Sequence, residues 1–262
     1  MAVLRWGAPE HHRTIGSTNT EALSDPRPGR VVVADHQSAG QGRLGRSWES
    51  PAGTCLAISA VLPSAPPAVA GWVPLAAGTA LALALTASRW PVTAALKWPN
   101  DILVPVREGQ EAQAVLVVDG MAFAKIAGVL CQMAPGGEIV VGTGVNVGHR
   151  ADQLPVPTAT SWRVARGGAP LPEGATEDLL QTYLEHLARA YDDLAAGVVD
   201  GVRADYLRLC LTPGQEVRVY GPDGSVTSGR AVDIDTDGAL VVEGSSGRTV
   251  HHAGDVHHAT HQ

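Results

Sequence analysis

At 262 residues, with a formal charge of −7 and a pI of about 5.8, the chain is long enough for one or two domains with a full core. It is too acidic for a protein that grips duplex DNA by neutralising phosphates. The start, M-A-V-L-R-W-G-A-P-E, lacks the apolar run of a secretory signal, and Cys55, Cys131 and Cys210 cannot all pair with one another. The pattern predicts a reduced, cytoplasmic protein that uses its cysteines as small core residues and has neither nucleic acid nor membrane as a partner.

In chain order, Ser17-Thr18-Asn19-Thr20-Glu21 opens a short helix ending near Asp25. Thr18 and Glu21 form a capping box worth about 1 kcal/mol, and hydroxyls at a helix start also suit a polar ligand. Val31 to Ala34 is a short, wholly apolar strand that runs into H-Q-S-A-G-Q-G-R-L-G-R-S-W-E-S-P-A-G, residues 36 to 53. Gly40, Gly42 and Gly45 let the backbone approach a ligand closely, and Arg43 and Arg46 supply guanidinium forks, a combination that suits a phosphate or another compact anion. Trp48 offers a flat partner for a ring.

Thr54 to Leu62 reads as the next strand, and the turn at residues 63 to 67 precedes an Ala-rich helix reaching Ser88. Residues 69 to 88 carry no charge, but the small residues and Pro74 favour a buried helix over a bilayer span. Val92 to Lys97 is a strand ending in K-W-P-N-D, residues 97 to 101, followed by a polar connection over 102 to 113. Ala114 to Val118 and Ala122 to Gln132 make a hairpin across Asp119-Gly120. Ile139 to Val147 is an apolar strand carrying Gly142 and Gly144. Residues 149 to 172 read as a loop.

Thr176 to Ala196 is a helix capped by Thr176, with Leu180, Tyr183, Leu184, Leu187, Tyr191 and Leu194 on one stripe, and Gly201 to Cys210 is a second. Past Pro213, four short strands (Glu216 to Tyr220, Val226 to Asp233, Ala239 to Glu243, Arg248 to His252) alternate with turns at Gly221-Pro222-Asp223-Gly224, Asp237-Gly238 and Ser246-Gly247, the size of an SH3-like barrel. The domains are expected at 1–212 and 213–262. His251, His252, His257, His258 and His261 lack partners at metal-ligand spacing and read as a solvated terminus.

Of 19 basic residues only Lys97 and Lys125 are lysines. In a chain that elsewhere uses arginine, a compact ammonium is kept at two places, and both fall in polar motifs at strand ends. Lys125 begins K-I-A-G-V-L, in which Gly128 marks a close backbone approach and Leu130 an apolar wall. Asn100 and Asp101 either cap a turn or serve a ligand. Asn146 is either an internal turn residue or part of the same pocket.

Q-S-A-G-Q-G-R-L-G-R-S-W, K-W-P-N-D, K-I-A-G-V-L, G-T-G-V-N-V and the early S-T-N together resemble the biotin–protein ligases, in order and over nearly the whole chain. The resemblance implies an α+β protein: a class II synthetase-like catalytic domain with a mixed sheet and helices on one side, then the SH3-like module. It implies ATP and biotin as substrates, Mg²⁺ accompanying ATP, and the biotin carboxyl carrier domain of a carboxylase as partner. Biotin would first be adenylated to biotinyl-5′-AMP and then passed to a carrier lysine.

By the same resemblance Arg43, Lys97, Asp101 and Lys125 are the catalytic set. Ser17, Thr18, Asn19, Gln37, Gly40, Gln41, Gly42, Arg43, Lys125, Gly128 and Leu130 would hold biotin. Arg43, Arg46, Trp48, Lys97, Asn100, Lys125 and Asn146 would hold the nucleotide. No protein cluster is expected to bind metal, Asp101 being the one candidate contact to Mg²⁺ if it is not the base. Gln41 departs from the family's usual arginine. Only about 16 residues precede Ser17, too few for a helix-turn-helix module, which implies a monofunctional ligase; a homodimer stays open. Two rivals are a lipoate–protein ligase, whose R-R-x-G-G-G run is absent here, and a non-catalytic biotin or nucleotide sensor.

Overall fold

The computed structural model describes residues 3–48, 51–107, 114–245 and 247–258. Ser246, His261, residues 49–50 and the second half of the expected 102–113 connection lie outside them. The first sheet contains β1 (Glu10–His12), β2 (Val31–Ala34), β3 (Cys55–Leu62), β4 (Ala95–Lys97), β5 (Asp101–Pro105), β6 (Leu116–Val118), β7 (Met121–Met133) and β8 (Ile139–Asn146). Its order is β1-β2-β3-β8-β7-β5-β4, with β6 paired to β7. β1 and β2 are parallel and the other pairs antiparallel, so the sheet is mixed.

Successive side chains of a strand point to opposite faces, and in β3 and β8 the two faces have different compositions. Leu56, Ile58, Ala60 and Leu62, with Val141 and Val145, enter the main core. There they meet α2 (Trp72–Ala87) and α4 (Ala175–Ala195), whose stripe of Leu180, Tyr183, Leu184, Leu187, Tyr191 and Leu194 is buried. The opposite face carries Ala57, Ser59, Gly142, Gly144 and Asn146, and receives the short α1 (Thr18–Ser24), through Ala22 against Val32, Val61 and Val140. The long helices therefore lie on one side, as expected, and the short α1 lies on the other. A thin layer over small side chains leaves room there for a ligand.

Several sequence-based assignments change. Asp101–Pro105 is a strand rather than a connection, because Ile102, Leu103 and Val104 are buried between β4 and β7. Ser17, not Thr18, caps α1, and Glu21 turns instead to Arg30, which also holds Glu10. Gly174 stands at the start of α4, while Thr176 bonds Glu177. Residues 149–172 are mostly loop, with a short α3 (Trp162–Ala165) capped by Ser161, and α5 (Val199–Leu209) follows α4.

The second sheet has five antiparallel strands, β9 (Glu216–Tyr220), β10 (Val226–Ile234), β11 (Leu240–Gly244), β12 (Gly247–His251) and β13 (Asp255–His258), in the order β12-β11-β10-β9-β13. β13 replaces the expected solvated terminus: it pairs with β9 from Asp255 to His258, and Val256 is buried. No helix of the described residues is long and apolar enough to cross a membrane. No disulfide joins the three cysteines, and burial pushes the Cys131 thiol up to about 12.

Candidate active site

The floor of the site follows from strand register. Ser59 lies opposite Gly142, and Gly142 opposite Leu130; one pair along, Ala57, Gly144 and Gly128 form a parallel row. The glycines are occupied from above. A Cβ on Gly144 would stand 2.6 Å from Cε2 of Trp48, and one on Gly142 would overlap the Asn19 amide. The sequence thus clears two adjacent rows, one covered by α1 and one by the tryptophan.

On the α1 side, the Thr18 backbone N–H donates to Gln37 Oε1 at 2.8 Å, and Ser17 caps the helix by accepting from Thr20 N. Asn19 Nδ2 donates to Gln132 Oε1 at 2.7 Å and to the Leu130 carbonyl at 3.3 Å. Trp48 Nε1 reaches Cys55 Sγ, and Lys125 Nζ lies 5.8 Å from the Trp48 ring centre.

The glycine loop folds back on itself, with Gly42 N donating to Arg46 O at 2.6 Å and Trp48 N to Gly40 O at 2.8 Å. Its arginines reach the second sheet. Arg43 donates to Asn100 Oδ1 at 3.3 Å and to the Gly254 carbonyl at 3.0 Å, and Arg46 pairs with Asp255. Burial lowers the pKa of Arg43, against the pull of Asp101 and Asp255. Gln41 is exposed and pairs by its backbone with Ser47.

Across the cavity, β4 and β5 place Lys97 opposite Asp101. Asp101 Oδ1 lies 2.5 Å from Lys125 Nζ, and Oδ2 3.8 Å from Lys97 Nζ. Lys97 is buried, and loss of hydration holds its pKa below the usual lysine value, an effect that Asp101 opposes. Asn100 Nδ2 donates to the Val129 carbonyl, and Asn146 Nδ2 to the Thr160 carbonyl.

Arg43, Arg46, Lys97 and Lys125 line one cavity of about 650 Å³ together with Ser17, Thr18, Asn19, Gln37, Gln41, Gly42, Trp48, Asn100, Asp101, Gly128, Leu130 and Asn146. Gly40 is the expected site residue that does not line it. It is buried behind the loop, where a side chain would strike Trp48 O and Gln37 Nε2. Trp98 is not a ligand group either: it is buried, donating from its backbone to Thr212 Oγ1 at 3.0 Å and from its indole to the Gly238 carbonyl at 3.1 Å.

Several residues of the cavity were not foreseen. Gln132 holds Asn19 from the cavity wall, and Asp255, His257 and His258 arrive on β13, while Ser59 holds Asn19 from beneath α1 without lining the cavity. The single hydroxyl in the apolar run of β3 was a usable signal for Ser59; nothing local marked β13.

The family model described as "Biotin/lipoate A/B protein ligase family" matches residues 12–148, and that of the "Biotin protein ligase C terminal domain" matches 212–258. This chain belongs to the biotin protein ligase family. It is therefore a ligase. It is 32% identical over 255 residues to the biotin--[acetyl-CoA-carboxylase] ligase of Mycobacterium tuberculosis, covering 93% of this chain and 86% of that one. Against the enzyme of the same description from Paracoccus denitrificans, identity is 28% over 249 residues, with 92% and 96% covered. The fold matches the biotin protein ligase of Aquifex aeolicus with a TM-score of 0.74 at 19% identity, covering 97% of this chain and all (100%) of that one. The same Aquifex aeolicus ligase in complex with biotin and ATP gives 0.70 at 23% identity, with 96% and 98% covered.

Proposed function

We propose that this ligase attaches biotin to a lysine of a biotin carboxyl carrier domain through biotinyl-5′-AMP, with residues 1–212 as the catalytic domain and 213–262 as the β-module that completes its site. The observation that carries this is the convergence of Arg43, Lys97 and Lys125 on one cavity whose other wall is an apolar, glycine-floored row beside hydrogen-bonding groups. A molecule with a polar ring, a greasy tail and a carboxylate fits that layout beside a nucleotide.

In the first half-reaction the biotin carboxylate attacks the α-phosphorus of ATP, the bond to the β-phosphate breaks, and pyrophosphate leaves. Two anions must meet, so fixed cations lower the barrier most. Lys97 and Lys125 flank the reacting carboxylate and α-phosphate, and Arg43 with the loop amides holds the phosphates. Arg46 adds to the same field. Thr18, Asn19 and Gln37, supported by Ser17, meet the ureido ring, and Leu130 with Gly128 faces the thiophane ring and tail. Trp48 stands at the border of the biotin row, where adenine stacks, and Asn100 and Asn146 border the nucleotide.

In the second half-reaction a carrier lysine attacks the biotinyl carbonyl of the mixed anhydride, forming the amide and expelling AMP, and its ammonium must first lose a proton. Asp101 is assigned that role. Both of its oxygens face ammonium groups, Lys125 and Lys97. When the adenylate phosphate draws Lys125 away, the freed carboxylate is available to the incoming amine. That occupancy makes Asp101 a poor magnesium ligand, and among the described residues no group of three His, Cys, Asp or Glu side chains is arranged to hold a metal. Mg²⁺ would enter with ATP, as part of the MgATP substrate.

The deciding experiment is the intact mass of a carrier domain after incubation with this protein, biotin and MgATP. Addition of one biotinyl group is expected. An unmodified carrier in the presence of lipoylated product, when lipoate competes, would assign the chain to the lipoate branch instead.

A further inference from the structure

On β7, Gly128, Leu130 and Gln132 turn to the cavity face, while the intervening Cys131 packs on the main core. Gln132 is the one polar side chain of the three. It is half-buried, lines the cavity and meets α1 through Asn19.

Hydrogen bonds fix which way its amide is turned. The Leu130 backbone carbonyl can only accept, and Asn19 faces it at 3.3 Å, so the Asn19 atom on that side is Nδ2. On the other side the Ser59 hydroxyl donates to Asn19 Oδ1 at 2.6 Å. A reversed Asn19 would set its oxygen against the Leu130 carbonyl. Both N–H groups of Asn19 are then accounted for, one to Leu130 and one to Gln132 at 2.7 Å, and the Gln132 atom that receives it is Oε1. The Gln132 NH₂ is left over. It meets no acceptor among the described residues, and it belongs to a side chain that lines the cavity. Two N–H donors are thus offered to the cavity by an amide whose oxygen is pinned on α1.

We infer that Gln132 is a specificity-determining residue: its NH₂ donates to the ureido carbonyl oxygen of biotin, and Asn19 keeps it from turning its own oxygen there. The inference rests on the biotin reading above and adds a residue that reads the head group. A donor of fixed direction favours a carbonyl and rejects a group that presents N–H at the same place. Two donors would then face each other with no acceptor between them.

The test is calorimetric titration of the full chain with biotin and with its cyclic guanidine analogue, 2-iminobiotin, in which a protonated C=NH replaces the ureido C=O. Wild type is expected to prefer biotin by tenfold or more, and no preference would count against the inference. Gln132→Glu keeps an oxygen for Asn19 and puts a second acceptor where the NH₂ stood. Its preference ratio should fall at least tenfold, with the melting temperature within a few degrees of wild type. Gln132→Met removes the donor without adding charge and should lower the ratio at least threefold, which separates loss of the contact from the field of a new carboxylate. Each variant decides the matter if the other does not fold. A ratio within twofold of wild type in either one, even with all affinities falling together, would leave Gln132 only holding Asn19 and overturn the inference. Failure of wild type to bind biotin would overturn the functional reading instead, a result distinct from any change of ratio.

Discussion

Lys97 holds its charge in surroundings that disfavour it. Burial pushes its pKa down, and Asp101, 3.8 Å away, only opposes that shift. An ammonium in that position binds a second anion more strongly than one in water does, because most of its hydration is already lost. Stability and catalysis should then separate at this residue. Lys97→Met is expected to leave the melting temperature unchanged or raise it by a few degrees. It should slow biotin-dependent pyrophosphate release by 10²-fold or more, the scale of losing one preorganised charge contact. Equal losses of stability and rate would show that Lys97 is structural.

His258 titrates in the opposite region of the scale. Burial, with the nearby charge of Lys97 and then His257, brings its pKa down to about 3, and neither ring nitrogen has a hydrogen-bond partner among the described residues. The unfolded chain therefore binds a proton at His258 between pH 6.5 and pH 3 that the folded chain refuses, so stability falls as pH falls through that window. From pH 7 to pH 5 the loss is at most about 2 kcal/mol. The lowered carboxylates Glu10 and Asp255 act in the same sense, but at lower pH. Denaturant unfolding of His258→Leu at the two pH values should show a difference smaller than wild type by up to that amount. An identical difference would remove His258 as the cause.

At the scale of elements, the alternation of β3, β7 and β8 accounts for most of the site that could be read in advance. Gly128, Leu130 and Asn146 are positions on strands, and once the strands are placed the period of two fixes which of them share a face. The glycine loop was legible for its composition, though not for where its arginines go. Arg43 and Arg46 reach Gly254 and Asp255, more than 200 positions away in the chain. The same distance hid β13, whose D-V-H-H has no strand signature apart from its pairing with β9. Asp101–Pro105 escaped for a different reason: its three central residues are apolar, but Pro105 and the polar residues after it disguised a strand buried on both sides.

The loop makes a prediction of its own. Arg43 bridges Asn100 on one wall and Gly254 on the other. Removing it should open the loop more than it disturbs the glycine-floored row proposed for biotin. Arg43→Gly is expected to form biotinyl-AMP yet lose it to solvent, because water reaches an anhydride that the closed loop shields. Stopped-time assays should then find more free biotinyl-AMP than wild type gives. No excess would mean that the loop does not retain the intermediate.

For the whole molecule, the two sheets are fastened together through the K-W-P-N-D motif, residues 97 to 101. Trp98, between Lys97 and the Pro99-Asn100-Asp101 turn, donates its indole N–H to Gly238 in the tight turn between β10 and β11 and its backbone N–H to Thr212. Trp72, at the start of α2, donates to the Thr236 carbonyl of the same turn at 2.7 Å, and Arg203 of α5 makes a two-pronged bond to Asp233 of β10. These bonds are spread over α2, α5 and the β4–β5 turn, so the small sheet cannot shift without dragging Lys97 and Asp101. Calorimetry should therefore record one unfolding transition rather than two. Trp98→Phe keeps most of the ring's volume and leaves the Gly238 carbonyl without its donor, which costs about 1–3 kcal/mol. If the fastening positions the chemistry, the variant's kcat should fall while its KM for biotin stays within twofold, since the α1 pocket is held by separate bonds. A variant that loses stability and keeps full kcat would show that the two sheets are joined for stability alone.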